Sequence, residues 1–155
     1  MNVIAPEPAI EIPEGYVVHG APGGFVHRNG PVFIKYSDKG STLLMRLGPE
    51  HTNAAGFASG GLLMMLLDIA LGTHVSANVG TRAICPTVQL NCNMVSTARV
   101  GEELVGESEL TRLTRTMAFA SGHLRVGDRK VATATAIFHI PAELSAARNN
   151  VPAKS

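Results

Sequence analysis

The segment His51-Thr52-Asn53-Ala54-Ala55-Gly56-Phe57-Ala58-Ser59-Gly60-Gly61, with Asp68 seven residues after its last glycine, gathers the residue types that thioester or ester chemistry needs. Gly60 and Gly61 carry no Cβ, so a ligand can approach their backbone closely. If a helix starts there, its first N–H groups lack partners and sit at the positive end of the helix dipole. Such a turn can hold a developing oxyanion, and one donor of this kind is worth about 3–4 kcal/mol of barrier. A plainer reading has Ser59 as a helix N-cap and the glycines as packing positions. Asp68 stands between Leu67 and Ile69, about 10 Å along a helix axis from Gly61 at about 1.5 Å per residue. An acid among apolar neighbours is costly unless it is paired or faces a cleft, and burial would raise its pKa. In a cleft it could activate water or attack a carbonyl directly; otherwise it marks a solvent gap on the helix.

Other side chains add less. Thr87 and Gln89 alternate with apolar residues, so they are expected to share one polar strand face, where they could hold a water or substrate. His74, His123 and His139 show no partner by spacing. No Gly-x-Ser-x-Gly elbow is present, which leaves a serine triad unsupported. The glycines of Gly20–Gly24 lack the strand-to-helix context of a dinucleotide loop.

The elements that must position these residues follow from periodicity. Val32–Tyr36 and Thr42–Leu47 are apolar runs around the turn signal Ser37-Asp38-Lys39-Gly40, a hairpin. Gly61–Asn78 is long enough only for a helix, with Ser59 before it and Gly80 as its stop. Leu62 to Leu67 cover the whole helix circumference, so the helix is expected to be buried on nearly all sides. After it the period becomes two: Ile84, Pro86, Val88, Leu90, Cys92 and Met94 fall on one face. Glu103–Thr111, Thr116–Val126 and Lys130–Ile140 follow as strands with short connections, hence an antiparallel meander. Six strands can cover a helix that is apolar all round only by curling about it, and the expected class is α+β with a six-stranded antiparallel sheet wrapped on a central helix.

Composition sets the bounds. The chain has 155 residues, 45% hydrophobic and 16% charged, which suits one domain with its own core. A formal charge of +1 argues against a broad basic surface for nucleic acid. If Cys85 and Cys92, seven residues apart, share a strand, they fall on opposite faces and cannot bond to each other. With no ligand cluster, no metal is expected, and free thiols fit a reducing, cytoplasmic setting. The first fifteen residues carry three glutamates among prolines and do not read as a signal peptide. The apolar stretch Phe57–Gly72 is interrupted by Asp68 and is shorter than the roughly 20 residues of a membrane span. The expected organisation is an extended arm over 1–30, a domain over 31–140 and a polar tail over 141–155.

The stretch His51–Asp68 resembles the signature of PaaI-like acyl-CoA thioesterases of the hot-dog superfamily: an Asn, a short glycine-containing loop, His-Gly-Gly, and an Asp seven residues after the second glycine. The likeness covers about residues 31–140, including Arg115-Thr116-Met117-Ala118-Phe119. It implies Asp68 as general base or nucleophile, the Gly60 N–H as oxyanion donor, Asn53 near the carbonyl or leaving thiol, and Thr87 as the residue orienting water. His51, Phe57, Ser59 and Gly61 would border the substrate, with Met64, Met65 and Phe119 in the pocket wall. It also implies an acyl-CoA substrate, no cofactor, and a homodimer or homotetramer whose site lies between subunits. Coenzyme A phosphates call for cations at the mouth; Arg115 is the best match, followed by Arg82, Arg112, Arg125, Arg129 and Lys130. Ser59 stands where the family has His, so the imidazole contact is lost. That motivates the alternative, a hot-dog protein that binds acyl-CoA without turning it over.

Overall fold

The structure is a computed structural model in which residues 10–80 and 84–144 are described. Strands β1 (Val17–His19), β2 (Val32–Ser37) and β3 (Gly40–Arg46) precede helix α2 (Gly60–Asn78), and β4 (Thr87–Met94), β5 (Glu103–Leu113), β6 (Met117–Val126) and β7 (Arg129–His139) follow it. A four-residue helix α1 (Phe25–Arg28) lies between β1 and β2, and a single 3-10 turn (Pro49–His51) precedes α2. All the strands pair antiparallel in the order β1-β2-β3-β5-β6-β7-β4. The sheet therefore has seven strands rather than the expected six. The extra one is β1, contributed by the arm, where Val17, Val18 and His19 pair with Ile34, Phe33 and Val32. Three residues without strong alternation leave little sequence signal, and pairing to β2 creates the strand. Of the outer segments, 1–9 and 145–155 lie outside the described residues, and with them most of the tail.

The sheet wraps α2 as expected, and the side chains show why it can. On the inner faces of β6 and β7 stand Ala118, Ala120, Ala132, Ala134 and Ala136, all buried. Opposite them α2 presents Leu62, Leu63, Leu66, Leu67 and Leu71. Alanine is a poor strand former. Here its small size lets a leucine-rich helix sit close, large side chains filling the space that small ones leave. Gly106 and Gly122 carry this furthest: a Cβ on Gly106 would lie 3.1 Å from that of Ala70, and one on Gly122 would lie 3.2 Å from Leu71 Cδ1.

The helix is not buried all round. Gly60, Gly61 and Met64 are exposed and Asp68, Gly72 and Ser76 are partly so. These positions recur every three to four residues, hence on one face, and the sheet leaves that stripe uncovered. The nineteen residues of α2 also exceed the stretch read from sequence, and by length and apolarity they could cross a membrane. Their burial within the sheet gives them another role. Ser59 occupies the N-cap position as expected, but its side chain makes no capping bond.

A buried polar cluster ties α2 to the β2–β3 turn. Thr73 Oγ1 donates to the Ile69 carbonyl at 2.8 Å and lies 2.9 Å from Ser41 Oγ. The Ser41 N–H donates to His74 Nδ1 at 3.4 Å. Gly40, at φ +133°, lies directly over the His74 ring. Gly40→Ala would combine strained backbone with a clash, and a loss of about 3 kcal/mol is expected in urea unfolding. Burial pushes the His74 imidazole below the ordinary histidine range. The unfolded chain thus takes up that proton first as pH falls, and stability is full above about pH 6.5 and declines below it. The unfolding midpoint should drop between pH 7 and 5, and His74→Gln should flatten that slope; an unchanged slope would remove His74 from this role.

Candidate active site

Asp68 and Thr87 meet. The Thr87 hydroxyl donates to Asp68 Oδ1 at 2.7 Å, joining the middle of α2 to the first residue of β4. The expected sharing of one strand face by Thr87 and Gln89 does not hold. Thr87 pairs with Phe138 and Gln89 with Ile137, with a bulge at Val88 between them. Opposed residues share a face, so Thr87 points inward beside the buried Phe138 while Gln89 points outward. A bulge adds one residue and reverses the alternation, which no count of period two can reveal. Asp68 and Thr87 border a cavity of about 270 Å³ that also takes in Gly72, Phe138, Tyr36 and His19. Cys92 is close enough that the Asp68 charge adds to the burial that raises its thiol pKa. Cys85, buried, is likewise raised, by desolvation. Both cysteines are free thiols.

The second group of predicted residues is built by the loop before α2. Asn53 Oδ1 accepts the Ala55 N–H at 2.9 Å and the Phe57 N–H at 3.3 Å. The Asn53 N–H donates to the Phe57 carbonyl at 2.8 Å, and Gly56 turns the chain at φ +77°. These bonds occupy the oxygen of the exposed Asn53 side chain, whose NH2 group carries two further donors. His51 is buried, and its Nδ1 accepts the Gly48 N–H at 2.8 Å. Its carbonyl accepts the Ser59 N–H at 2.9 Å. The structure thus gives His51 a loop-holding position under the glycine turn. Gly60 and Gly61 open α2 with exposed backbone, and a Cβ on Gly60 would meet nothing within 4 Å. The first-turn N–H groups are the unpaired ones of a helix start, and Ser59 does not cap them.

The two groups are apart within the chain. Gly60 and Asp68 are eight residues apart on one helix, about 12 Å along its axis at about 1.5 Å per residue. Reacting atoms must approach to about 3–3.5 Å, so one carbonyl cannot reach both. Met64 lies between them on the exposed stripe, 45% accessible, with Met65 partly buried beside it. Phe119 instead lines a hollow with Gln89 on the outer face of the sheet, away from α2.

Among the cations, Arg115 and Arg112 are exposed on and after β5. Arg125 pairs with Glu107 at 2.7 Å and Arg129 with Glu102 at 2.8 Å; both carboxyls are held below their usual range, Glu107 chiefly by Arg125 and Glu102 chiefly by the Arg99 N–H. Lys130 borders a polar hollow on the outer face of the sheet, and Arg82 lies outside the described residues. His123, without a visible partner in sequence, sits 3.3 Å from Glu107. Sequence reasoning passed over Arg99. Its guanidinium lies over the Phe57 ring, 4.9 Å from the centroid, and the Ala58 N–H donates to the Ala98 carbonyl, which clamps this segment to the glycine loop. A separation of some forty residues between Phe57 and Arg99 hides the pairing from any local pattern.

With this geometry in hand, likeness to known proteins is informative. Residues 55–133 match the family described as Thioesterase superfamily. The protein named "Putative esterase PA0474" of Pseudomonas aeruginosa is 32% identical over 133 residues, covering 85% of this chain and 99% of its own. Human acyl-coenzyme A thioesterase 13 is 32% identical over 85 residues, covering 50% of this chain and 54% of its own. A phenylacetic acid degradation-related protein from Ralstonia eutropha superposes with a TM-score of 0.68 at 26% identity, over 79% of this chain and 92% of its own. The wrapped sheet is the hot-dog fold of such proteins, and this chain belongs to the thioesterase superfamily.

Proposed function

We propose that the protein hydrolyses an acyl-CoA to a free acid and CoA, with Asp68 as the group that activates water or attacks the thioester carbon. The observation that carries this reading is the Thr87–Asp68 hydrogen bond at the edge of a cavity, which fixes one carboxylate oxygen and leaves the other available. In the water route, Asp68 takes a proton as the water oxygen bonds to the carbonyl carbon. The carbonyl electron pair moves onto oxygen, where an unpaired N–H at Gly60 stabilises it. Collapse of the tetrahedral adduct expels the CoA thiolate, which then takes a proton. Asn53 supplies an amide N–H to the carbonyl or the leaving sulfur. Arg99, held over Phe57 beside this loop, suits a CoA phosphate.

The separation of Gly60 from Asp68 supports a site completed by a second copy of the chain. β4 is at the end of the sheet, with Val88 and Met94 exposed and Val95 exposed just beyond it. An edge strand presents unpaired backbone groups, and an apolar edge invites pairing with another chain. Pairing there would bring the glycine turn of one copy to the Asp68 and Thr87 of the other. A second reading, binding without turnover, draws on Ser59, which places a short hydroxyl beside the glycine turn.

Asp68→Asn should lower kcat in thiol release by about 10²–10⁴-fold, the usual worth of a positioned base, without shifting the urea midpoint. A wild-type chain that binds CoA esters saturably but releases no thiol would instead establish the second reading. For the shared site, chains carrying Asp68→Asn and Asn53→Ala, each nearly inactive alone, are unfolded together and refolded as an equal mixture. Half of the resulting dimers would hold one intact site, and about a quarter of wild-type activity should return. Activity no higher than the sum of the separate variants would show that the residues act within one chain.

A further inference from the structure

The N-terminal arm delivers an imidazole to the cavity of Asp68. β1 places His19 opposite Val32. Opposed residues project to the same face, and Val32 is completely buried, so His19 points toward the helix side of the sheet. There it borders the same cavity as Asp68 and Thr87. The ring is half-buried, and desolvation alone lowers its pKa. Near neutral pH it is thus uncharged, with one N–H donor and one bare nitrogen acceptor. Gly20, at φ +102°, packs where a Cβ would press on Val26 at 3.0 Å, which holds the arm against α1 as it leaves β1.

The floor of the cavity is shaped for occupancy. Gly72 lies four residues beyond Asp68, hence on the same helix face. Glycine within a helix costs about 1 kcal/mol relative to alanine. A Cβ at this position would reach within 3.3 Å of the Phe138 ring, so the glycine preserves depth beside the carboxylate. Ile69, Phe138 and Cys85 make the wall largely apolar, while His19 and Tyr36 supply polar groups at the side formed by β1 and β2. Within one chain the space is about 270 Å³, just under the 300–1,000 Å³ typical of small-molecule pockets, enough for a compact acyl group.

We propose that this cavity receives the acyl group and that His19 is a specificity-determining residue in it, hydrogen-bonding a polar substituent carried by a compact acyl chain. The proposal rests on the thioesterase reading to the extent that Asp68 marks the position of the thioester carbonyl. Once an acyl group covers the half-buried His19 ring, a substrate lacking the partner leaves a desolvated polar group unsatisfied, which favours the substrate that supplies it. Selection therefore acts against the plain hydrocarbon analogue.

The test is a panel of matched acyl-CoA pairs of up to about eight acyl carbons, each pair differing by one hydroxyl. Wild-type kcat/KM should favour at least one hydroxylated member by about 10-fold, the worth of one hydrogen bond. His19→Phe should abolish that preference, bringing the two members of each pair within about twofold of each other; His19→Gln, which keeps a donor and an acceptor, should retain part of it. Gly72→Val, which fills the floor, should depress the bulkiest esters most. Equal losses across both members of every pair in His19→Phe, or a wild type that favours no hydroxylated ester, would overturn the proposal. If the wild type releases no thiol, the hydrolytic reading fails separately. Calorimetric binding of the same pairs to wild type and His19→Phe then decides the role of His19 by the same preference and its loss.

Discussion

Close packing of one leucine-rich helix against strands lined with alanine and glycine is the constraint from which the other features follow. The five inward alanines of β6 and β7, with Gly106 and Gly122, set how near α2 can lie. A helix of this apolarity needs cover on most of its circumference, and an antiparallel sheet provides it only by curling. Curling brings the β1–β2 side and the β4–β7 side toward each other over the helix. The stripe through Gly61, Met64, Asp68 and Gly72 that remains between them is where a charged residue is tolerated. The site is thus a consequence of incomplete wrapping. Asp68 escapes the cost of a buried charge because the sheet stops short of it and Thr87 bonds to it.

The same helix explains why the candidate groups fall in two sets. A helix start is the place for unpaired N–H groups, and the middle of its exposed stripe is the place for a carboxylate, yet about 12 Å of rise keeps them apart. A rigid element holds each group well but cannot fold back on itself. Asn53, Gly60 and the Arg99–Phe57 pair stand about the start of the helix; Asp68, Thr87 and His19 stand about the cavity beside its middle.

Much of this was legible in the residues. The glycine pair before an apolar run, the acid within it and the change of period after it follow from local rules, and they led to the wrapped helix and to Asp68 and Gly60 as candidates, while Asn53 entered through the family resemblance. What escaped was non-local or phase-dependent. β1 exists because β2 offers it a partner. Thr87 faces inward because one extra residue at Val88 reverses the alternation. Arg99 belongs to the loop through a ring some forty positions away, and His51, whose place in the motif suggested substrate contact, has its imidazole turned into the loop that supports the turn.

The sequence by itself determined the long helix and six of the seven strands, that the helix needs a wrapped sheet, and that a glycine turn and an acid lie on it at a set spacing. Those properties depend on neighbours within a few positions along the chain, where backbone geometry converts spacing directly into direction. Only the tertiary structure decided that Asp68 meets Thr87, that the arm brings His19 to the same cavity, and that the helix stripe stays open. These depend on strand register and on where the sheet stops, quantities set by the packing of α2 against small side chains drawn from distant parts of the chain.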